Sequence, residues 1–460
     1  MKLRVVDACL YRRTVPFRLP FHVAGTTITG VDQFHARVTV ETASGRRAEG
    51  VSAESPSPIW FDKVRPAETV MADIVTSLRR TARRYLDTPA TTAFALFADG
   101  IADQQGWART AGAPATVAQF GPALWDRAVL DALCRALEVD IFTALRGNAP
   151  GLSTAPCGDL AGFDADTWLS ARHPLAALPV RHTIGGDDPL VATDIRHPIG
   201  DGLPESLDAI LAAYGNRSFK IKVGPDIPPV LARLRGIAAV LDTLPAYAVT
   251  LDGNEQFQDA EGVAALVAAI AAEPALARLR AGLRYIEQPI HRDRVDSVPV
   301  HAVPVPLLVD ESEGTPDAFA QAHDLGWRGV SSKSCKGVYQ ALLNGMRCTR
   351  WDDGSFVIAE DLNHPAGLSL QQDLAIAAFL GVADAERNGH HYMNGMAAAP
   401  AAEQAAYLAA HADLYASADG VVRLAIRDGA LPITGLHGTG FAHAAWPDWA
   451  SLDEVPLNPA

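Results

Sequence analysis

The chain has 460 residues, 48% of them hydrophobic and 20% charged, which supplies a large core and excludes wholesale disorder. Lys and Arg total 39 against 53 Asp and Glu, a formal charge of −14, and so acidic a chain repels a phosphate backbone, which argues against a nucleic-acid partner. The five cysteines (Cys9, Cys134, Cys157, Cys335, Cys348) are odd in number and no two have CxxC spacing, so neither a disulfide framework nor a zinc ribbon is expected.

The opening MKLRVVDACLYRR spreads charges through its first apolar stretch and has no signal-peptide h-region. No run of about 18 apolar residues occurs, so no membrane span or membrane partner is expected. The expectation is a cytoplasmic protein. At roughly 100–200 residues per domain, the length suits two domains, or a barrel with a smaller companion.

Residues 1–60 read as strands. FHARVTVETASGRRAEG (34–50) alternates apolar and polar residues about an Ala-Ser-Gly turn, as a hairpin does. Residues 65–148 read as helical, with apolar positions three and four apart in 122–147 and Gly147 as the stop. Sheet followed by helices predicts a small α+β unit.

After about residue 150 the pattern changes. Short apolar runs alternate with Ala/Leu-rich helical stretches such as 261–281. The strand candidates are LPVRHTI (178–184), SFKIKVG (218–224), YAVTLDG (247–253), LRYIEQP (283–289), PLLVDES (306–312), GVSSKS (329–334) and SFVIAED (355–361), with a weaker eighth near GHHYM (389–393). Repeated strand–helix units imply a parallel sheet, and eight of them suit a closed barrel of about 250 residues. An open doubly wound sheet is the alternative, but no GxGxxG follows a strand. The tail, including 421–442, contains short strands and Gly turns that can fold back on the N-terminal unit.

Charged residues collect at the C-terminal ends of these strands: Lys220 and Lys222, Asp252 and Asn254, Glu287, Asp310 and Glu311, Lys333, Glu360 and Asp361. In a parallel barrel those ends share the face that carries active sites. A buried strand end has no packing reason to hold charge, because desolvation is costly. Asp252, Glu287 and Asp310, on three neighbouring strands, can converge. Three carboxylates at one point repel, and a hard divalent cation removes the conflict; oxygen-only ligands favour Mg²⁺, with Mn²⁺ as a substitute, at about 2.0–2.1 Å. Lys220 and Lys222 are two apart and point the same way along a strand. A neighbouring cation disfavours protonation of Lys222, which suits a general base. Lys333 comes from the sixth strand, across the barrel.

FKIKVG, LDGNEQF, YIEQP, LLVDES and SSKSCKG, in this order, resemble the enolase superfamily, in its mandelate racemase/muconate lactonizing enzyme group. That group also contains dipeptide epimerases and o-succinylbenzoate synthases. The resemblance implies an α/β fold: a modified (β/α)7β TIM-type barrel over 151–400, an α+β capping domain over 1–150, and a C-terminal segment over 401–460 that returns to the cap. It implies Mg²⁺ on Asp252, Glu287 and Asp310, Lys222 as acid/base tuned by Lys220, and Lys333 as the second acid/base on the opposite face. Glu311 is expected behind the ligands, and Asn254 is expected to support the metal site. Glu360 falls where relatives vary. Phe21 and Thr26 (in PFHVAGTT) and Trp60 (in SPSPIWF) fall in the two cap loops that close over such sites. These six are the candidate substrate contacts.

The implied reaction removes a proton alpha to a carboxylate, giving an enediolate. Two lysines on opposite faces imply racemisation or epimerisation of a small carboxylic acid or amino-acid derivative. Cycloisomerisation or dehydration is the alternative within the class, and a non-catalytic binding protein of the same fold is the alternative outside it. The partners expected are a small carboxylate and further copies of the same chain. Two features depart from the group. Lys336-Gly337-Val338-Tyr339 replaces the usual glycine pair after the sixth strand. The DLD-type eighth-strand motif of dipeptide epimerases is not visible, and His390, His391 and Tyr392 stand in the expected strand, which argues against a dipeptide substrate.

Overall fold

The structure is a computed structural model describing residues 1–23, 26–361 and 364–458; the side chains of residues 22, 23, 26 and 361 lie outside the description. Near the N-terminus the strands Lys2–Val23, Thr26–Thr42 and Arg47–Glu54 form an antiparallel sheet. The turn at 43–46 sets the hairpin register, pairing Glu41 with Arg47. The chain returns to this sheet at its end, where Asp453–Glu454 pairs with Arg12 and Tyr11. Helices Ala67–Asp87 and Ala115–Leu137 cover the sheet, with the short helices Ala93–Ala98 and Ile101–Ala111 between them. Gly50 permits this packing: a Cβ there would lie 2.2 Å from the Ala128 carbonyl oxygen and the Ala132 nitrogen of the second helix.

Eight parallel strands form the barrel: Ala177–Ile184, Ser218–Lys222, Ala248–Asp252, Leu283–Glu287, Leu307–Val309, Gly329–Ser332, Phe356–Asp361 and Ala385–Arg387. Each pairs with the next, and the eighth closes on the first through Ala385–Val180 and Glu386–Arg181. The alternation of strand side chains sorts the residues. In the second strand Phe219 and Ile221 pack in an apolar cluster with Leu234 and Ile237 of helix Ile227–Leu241, while Ser218, Lys220 and Lys222 reach acidic partners from other barrel strands or their ends.

The eighth strand departs from the sequence expectation. It lies at 385–387, and residues 389–392, expected as strand, form one helical turn. The strand was hidden because two of its three residues are charged and buried. Glu386 accepts the Thr183 hydroxyl, and Arg387 pairs with Asp373. Among the described residues no single helix is long and apolar enough to cross a membrane.

Candidate active site

In a ring of eight, the second and sixth strands stand opposite each other. Lys222 and Lys333, at their ends, line one cavity of about 90 Å³ together with Phe21, Trp60, Asp252 and Glu386. Lys220, Asn254, Asp310, Glu311 and Glu360 also line it, so most of the residues singled out by sequence share this space. Glu287 lies beneath them, 1% exposed. The backbone of Thr26 is in the cap sheet, and its side chain lies outside the described residues.

Ion pairs cross the strand ends. Lys220 Nζ is 2.7 Å from Glu287 Oε1, 2.9 Å from Glu360 Oε1, 3.0 Å from Asp252 Oδ2 and 3.4 Å from Glu386 Oε2. Lys222 Nζ donates to Asp252 Oδ2 at 2.6 Å. Lys333 Nζ bridges Asp310 Oδ2 at 2.7 Å and Glu360 Oε1 at 2.8 Å. Burial opposes the charges on Lys220 and Lys333. The surrounding carboxylates outweigh it and hold both ammonium groups well above the ordinary lysine range.

The acids differ among themselves. Burial, with Asp252 and Glu360 nearby, pushes the Glu287 carboxyl well above its usual range. Burial, with Asp310 and Glu255, raises Glu311 to about 7. Glu360 and Asp252 are also buried, but their lysines hold them below the usual range. The backbone N–H of Asn254 donates to Asp252 Oδ1 at 2.8 Å, so Asn254 holds this acid through its main chain. Ser331 Oγ and Lys336 Nζ, which sequence reading did not place in the site, lie 2.5 and 3.2 Å from Asp310 Oδ1.

The cap closes the cavity through charged staples. Lys63 Nζ donates to the Asn254 carbonyl at 2.9 Å and lies 2.5 Å from Glu255 Oε2. Arg292 holds Glu255 and the carbonyls of Trp60 and Phe61. Trp60 thereby donates its indole N–H to Asp310 Oδ2 at 3.0 Å. Sequence reading also missed Glu54 and Lys63, which line the cavity from the cap side, and Glu386. Parity along a correctly placed eighth strand would have found Glu386; no periodic signal marks the cap loops. His390 and His391 pack with His182 and Tyr214 instead. The expectation against a dipeptide rested on the absence of a DLD-type motif and on those histidines standing in the eighth strand; the strand instead follows Asp384, bound by Arg181 and Arg284, and carries Glu386, so the histidines do not bear on it.

The donor set suits a hard divalent cation. Five carboxyl groups (Asp252, Glu287, Asp310, Glu360, Glu386) meet the ammonium groups of Lys220, Lys222, Lys333 and Lys336, so the acids outnumber the bases. Glu287 Oε2 and Glu360 Oε2 are buried and receive no lysine N–H; the lysines bind the Oε1 atoms. Glu287, Asp310 and Glu360 bring ligand oxygens within 4.8 Å of one another; of the expected trio, Asp252 is not part of that group.

Residues 203–335, from just before the second strand to just past Lys333, match the family model described as enolase C-terminal domain-like. The chain has the enolase-superfamily fold. Solved structures of the superfamily superpose over nearly the whole chain. A muconate lactonizing enzyme from Mycobacterium smegmatis, complexed with muconolactone, is 17% identical over 98% of this chain and 100% of its own, with a TM-score of 0.61. A dipeptide epimerase from Enterococcus faecalis, complexed with Mg and L-Leu-L-Tyr, is 16% identical over 96% and 100%, also at 0.61. An enolase from Streptomyces coelicolor described as a putative sugar isomerase is 16% identical over 96% and 94%, at 0.60. No curated protein sequence matches the chain. At these identities the enolase-superfamily neighbours establish architecture, and the chemistry rests on the residues in the cavity.

Proposed function

We propose that the protein is a Mg²⁺-dependent enzyme, able to use Mn²⁺, that removes a proton alpha to a carboxylate and returns it in racemising or epimerising a small carboxylic acid or amino-acid derivative. The observation that carries this reading is the placement of Lys222 and Lys333 on opposite strands around one small, acid-floored cavity. An alpha hydrogen is a weak acid because its loss leaves an enediolate with a second negative charge. A bound divalent cation would supply the positive charge that this anion requires.

The chain's own residues supply the rest. Lys333, held as an ammonium by Asp310 and Glu360, is poised to deliver a proton from one face. Lys222, on Asp252, faces the other. Removal on one face and return on the other inverts the centre. Phe21 and Trp60 limit size and exclude water. Glu386 offers an acceptor to a polar substituent of the substrate.

The test is incubation with small chiral carboxylates in D₂O plus Mg²⁺, read by proton NMR and optical rotation. Alpha-deuterium in a racemising product is expected. Lys222→Ala and Lys333→Ala should each abolish exchange from one enantiomer. Loss of water or ring closure would replace this reading with a dehydratase or cycloisomerase. No exchange with any acid, together with no divalent-cation binding, would leave a binding protein.

A further inference from the structure

We infer that the protein carries a second binding site, at the end of the barrel opposite the lysines, for an aromatic monocarboxylate held by Arg172 and Tyr285. The site is separate from the proposed reaction, whose groups stand at the C-terminal strand ends.

A cavity of about 650 Å³ lies at the N-terminal ends of the barrel strands, against about 90 Å³ for the cavity between the lysines. Arg284 and Tyr285 near the start of the fourth strand, Phe356 at the start of the seventh and Asp384 just before the eighth line it, with Trp168 and Arg172. Its size falls in the range of about 300–1,000 Å³ in which small ligands bind.

Two donors in this cavity lack partners. Tyr285 is 5% exposed and its hydroxyl has no hydrogen bond. Burial holds that hydroxyl well above the ordinary tyrosine range, so it stays a donor. Arg172 Nε is likewise buried without a partner. Burial lowers the pKa of this guanidinium, and no neighbouring carboxylate opposes the effect. Trp168 beside it is satisfied: its indole N–H donates to Thr349 Oγ1 at 2.8 Å. The Arg172 guanidinium carbon stands 4.3 Å from the Trp168 ring centre. A guanidinium on a ring face keeps in-plane donors for a carboxylate. A buried donor without an acceptor is costly, and a bound acceptor removes that cost.

The charge balance selects a monoanion. Asp384, the acid in the lining, is bound by Arg181, by Arg284 and by the Ser218 hydroxyl. Arg172 is left with one uncompensated positive charge. The walls select the body of the ligand. The Tyr285 and Phe356 rings lie 5.2 Å apart at 39°, and Pro306, Leu380 and Val382 extend the apolar surface. Inorganic phosphate would leave that surface unfilled, whereas an aromatic acid covers it and presents one carboxylate.

The test is titration of the full-length protein with 2-naphthoate, read by fluorescence and calorimetry, with EDTA present to keep divalent cations from drawing the acid to the other cavity. Naphthoate should bind about tenfold or more tightly than uncharged 2-naphthamide, and Arg172→Gln should remove most of that difference. Tyr285→Phe should weaken naphthoate binding by about threefold or more without lowering the melting temperature, because the hydroxyl it removes has no partner. Lys222→Ala should leave the affinity unchanged. A naphthoate-soaked crystal should place the carboxylate on Arg172 and the rings against Phe356. Equal affinity for acid and amide, a loss with Lys222→Ala but not with Arg172→Gln, or no saturable binding overturns the inference. None of these outcomes bears on the deuterium exchange that tests the proposed function.

Discussion

Trp60 donates its indole N–H to Asp310 at 3.0 Å and lays its ring over the Lys333 ammonium, 4.5 Å from the ring centre. One cap side chain thus touches both a candidate ligand and a candidate acid. A hydrogen bond to a charged group contributes about 1.5–3 kcal/mol, and a desolvated cation–π contact about 2. Trp60→Phe keeps a ring and loses the donor, so it should lower kcat/KM for the exchanging acid by about 10-fold or more. Trp60→Ala should cost more. Equal effects of the two variants would assign the role to bulk packing.

Cation uptake should release protons. Burial, Asp252 and Glu360 together push the Glu287 carboxyl up, so a proton competes with a cation for its oxygens. Affinity for Mg²⁺ should therefore rise with pH. The calorimetric enthalpy should differ between buffers of unlike ionisation enthalpy, in proportion to the protons released. Equal enthalpies in phosphate and Tris would refute the release.

Much of this site was legible because a charge at the end of a buried strand stands out against apolar surroundings. Lys220, Asp252, Glu287, Asp310 and Lys333 were found that way, and each is at most 9% exposed. Glu386 was not, because its strand has three residues, two of them charged, and pairing with Lys220 and Thr183 rather than hydrophobicity holds it inside. Lys63 and Arg292 were illegible for another reason. Their partners are backbone carbonyls and Glu255, distant in sequence, and no spacing encodes such contacts. The partners of the lysines were also hidden: Lys220 follows the expected position but engages four acids from four strands.

Acid should unfold the protein steeply. Burial holds His35 and His182 down to about 3 and His390 down to about 4. An unfolded histidine titrates near 6.5, so the unfolded chain binds more protons between these limits. Stability from these groups is complete above about pH 6.5 and is lost as pH falls toward 4 for His390 and toward 3 for His35 and His182. At pH 5 each fully buried neutral histidine costs about 2 kcal/mol relative to neutral pH. Urea titrations at pH 7.5 and 5.0 should show a large fall in midpoint, and His182→Gln should flatten it. An unchanged midpoint would mean that these rings are not held neutral.

Arg18, in the strand Lys2–Val23, ties the cap to the segment before the second barrel strand and to the turn after the eighth. Its side chain, 4% exposed, grips both oxygens of Asp201 and the carbonyls of Leu203, Pro204 and His391. Phe21, three residues on, lines the cavity and packs edge-on against Tyr392 at 5.0 Å. Breaking a buried pair costs about 3–5 kcal/mol, and the partial exposure of Asp201 lowers that here. Lysine cannot replace a forked guanidinium that serves a carboxylate and three carbonyls at once. Arg18→Lys should therefore resemble Arg18→Ala. Both should raise KM several-fold with a smaller change in kcat, because the wall of the cavity moves while the lysines stay. Both should also speed proteolytic cleavage within 185–206, the segment Arg18 holds. A variant with unaltered KM and cleavage would show that the strand end holds its place without this contact.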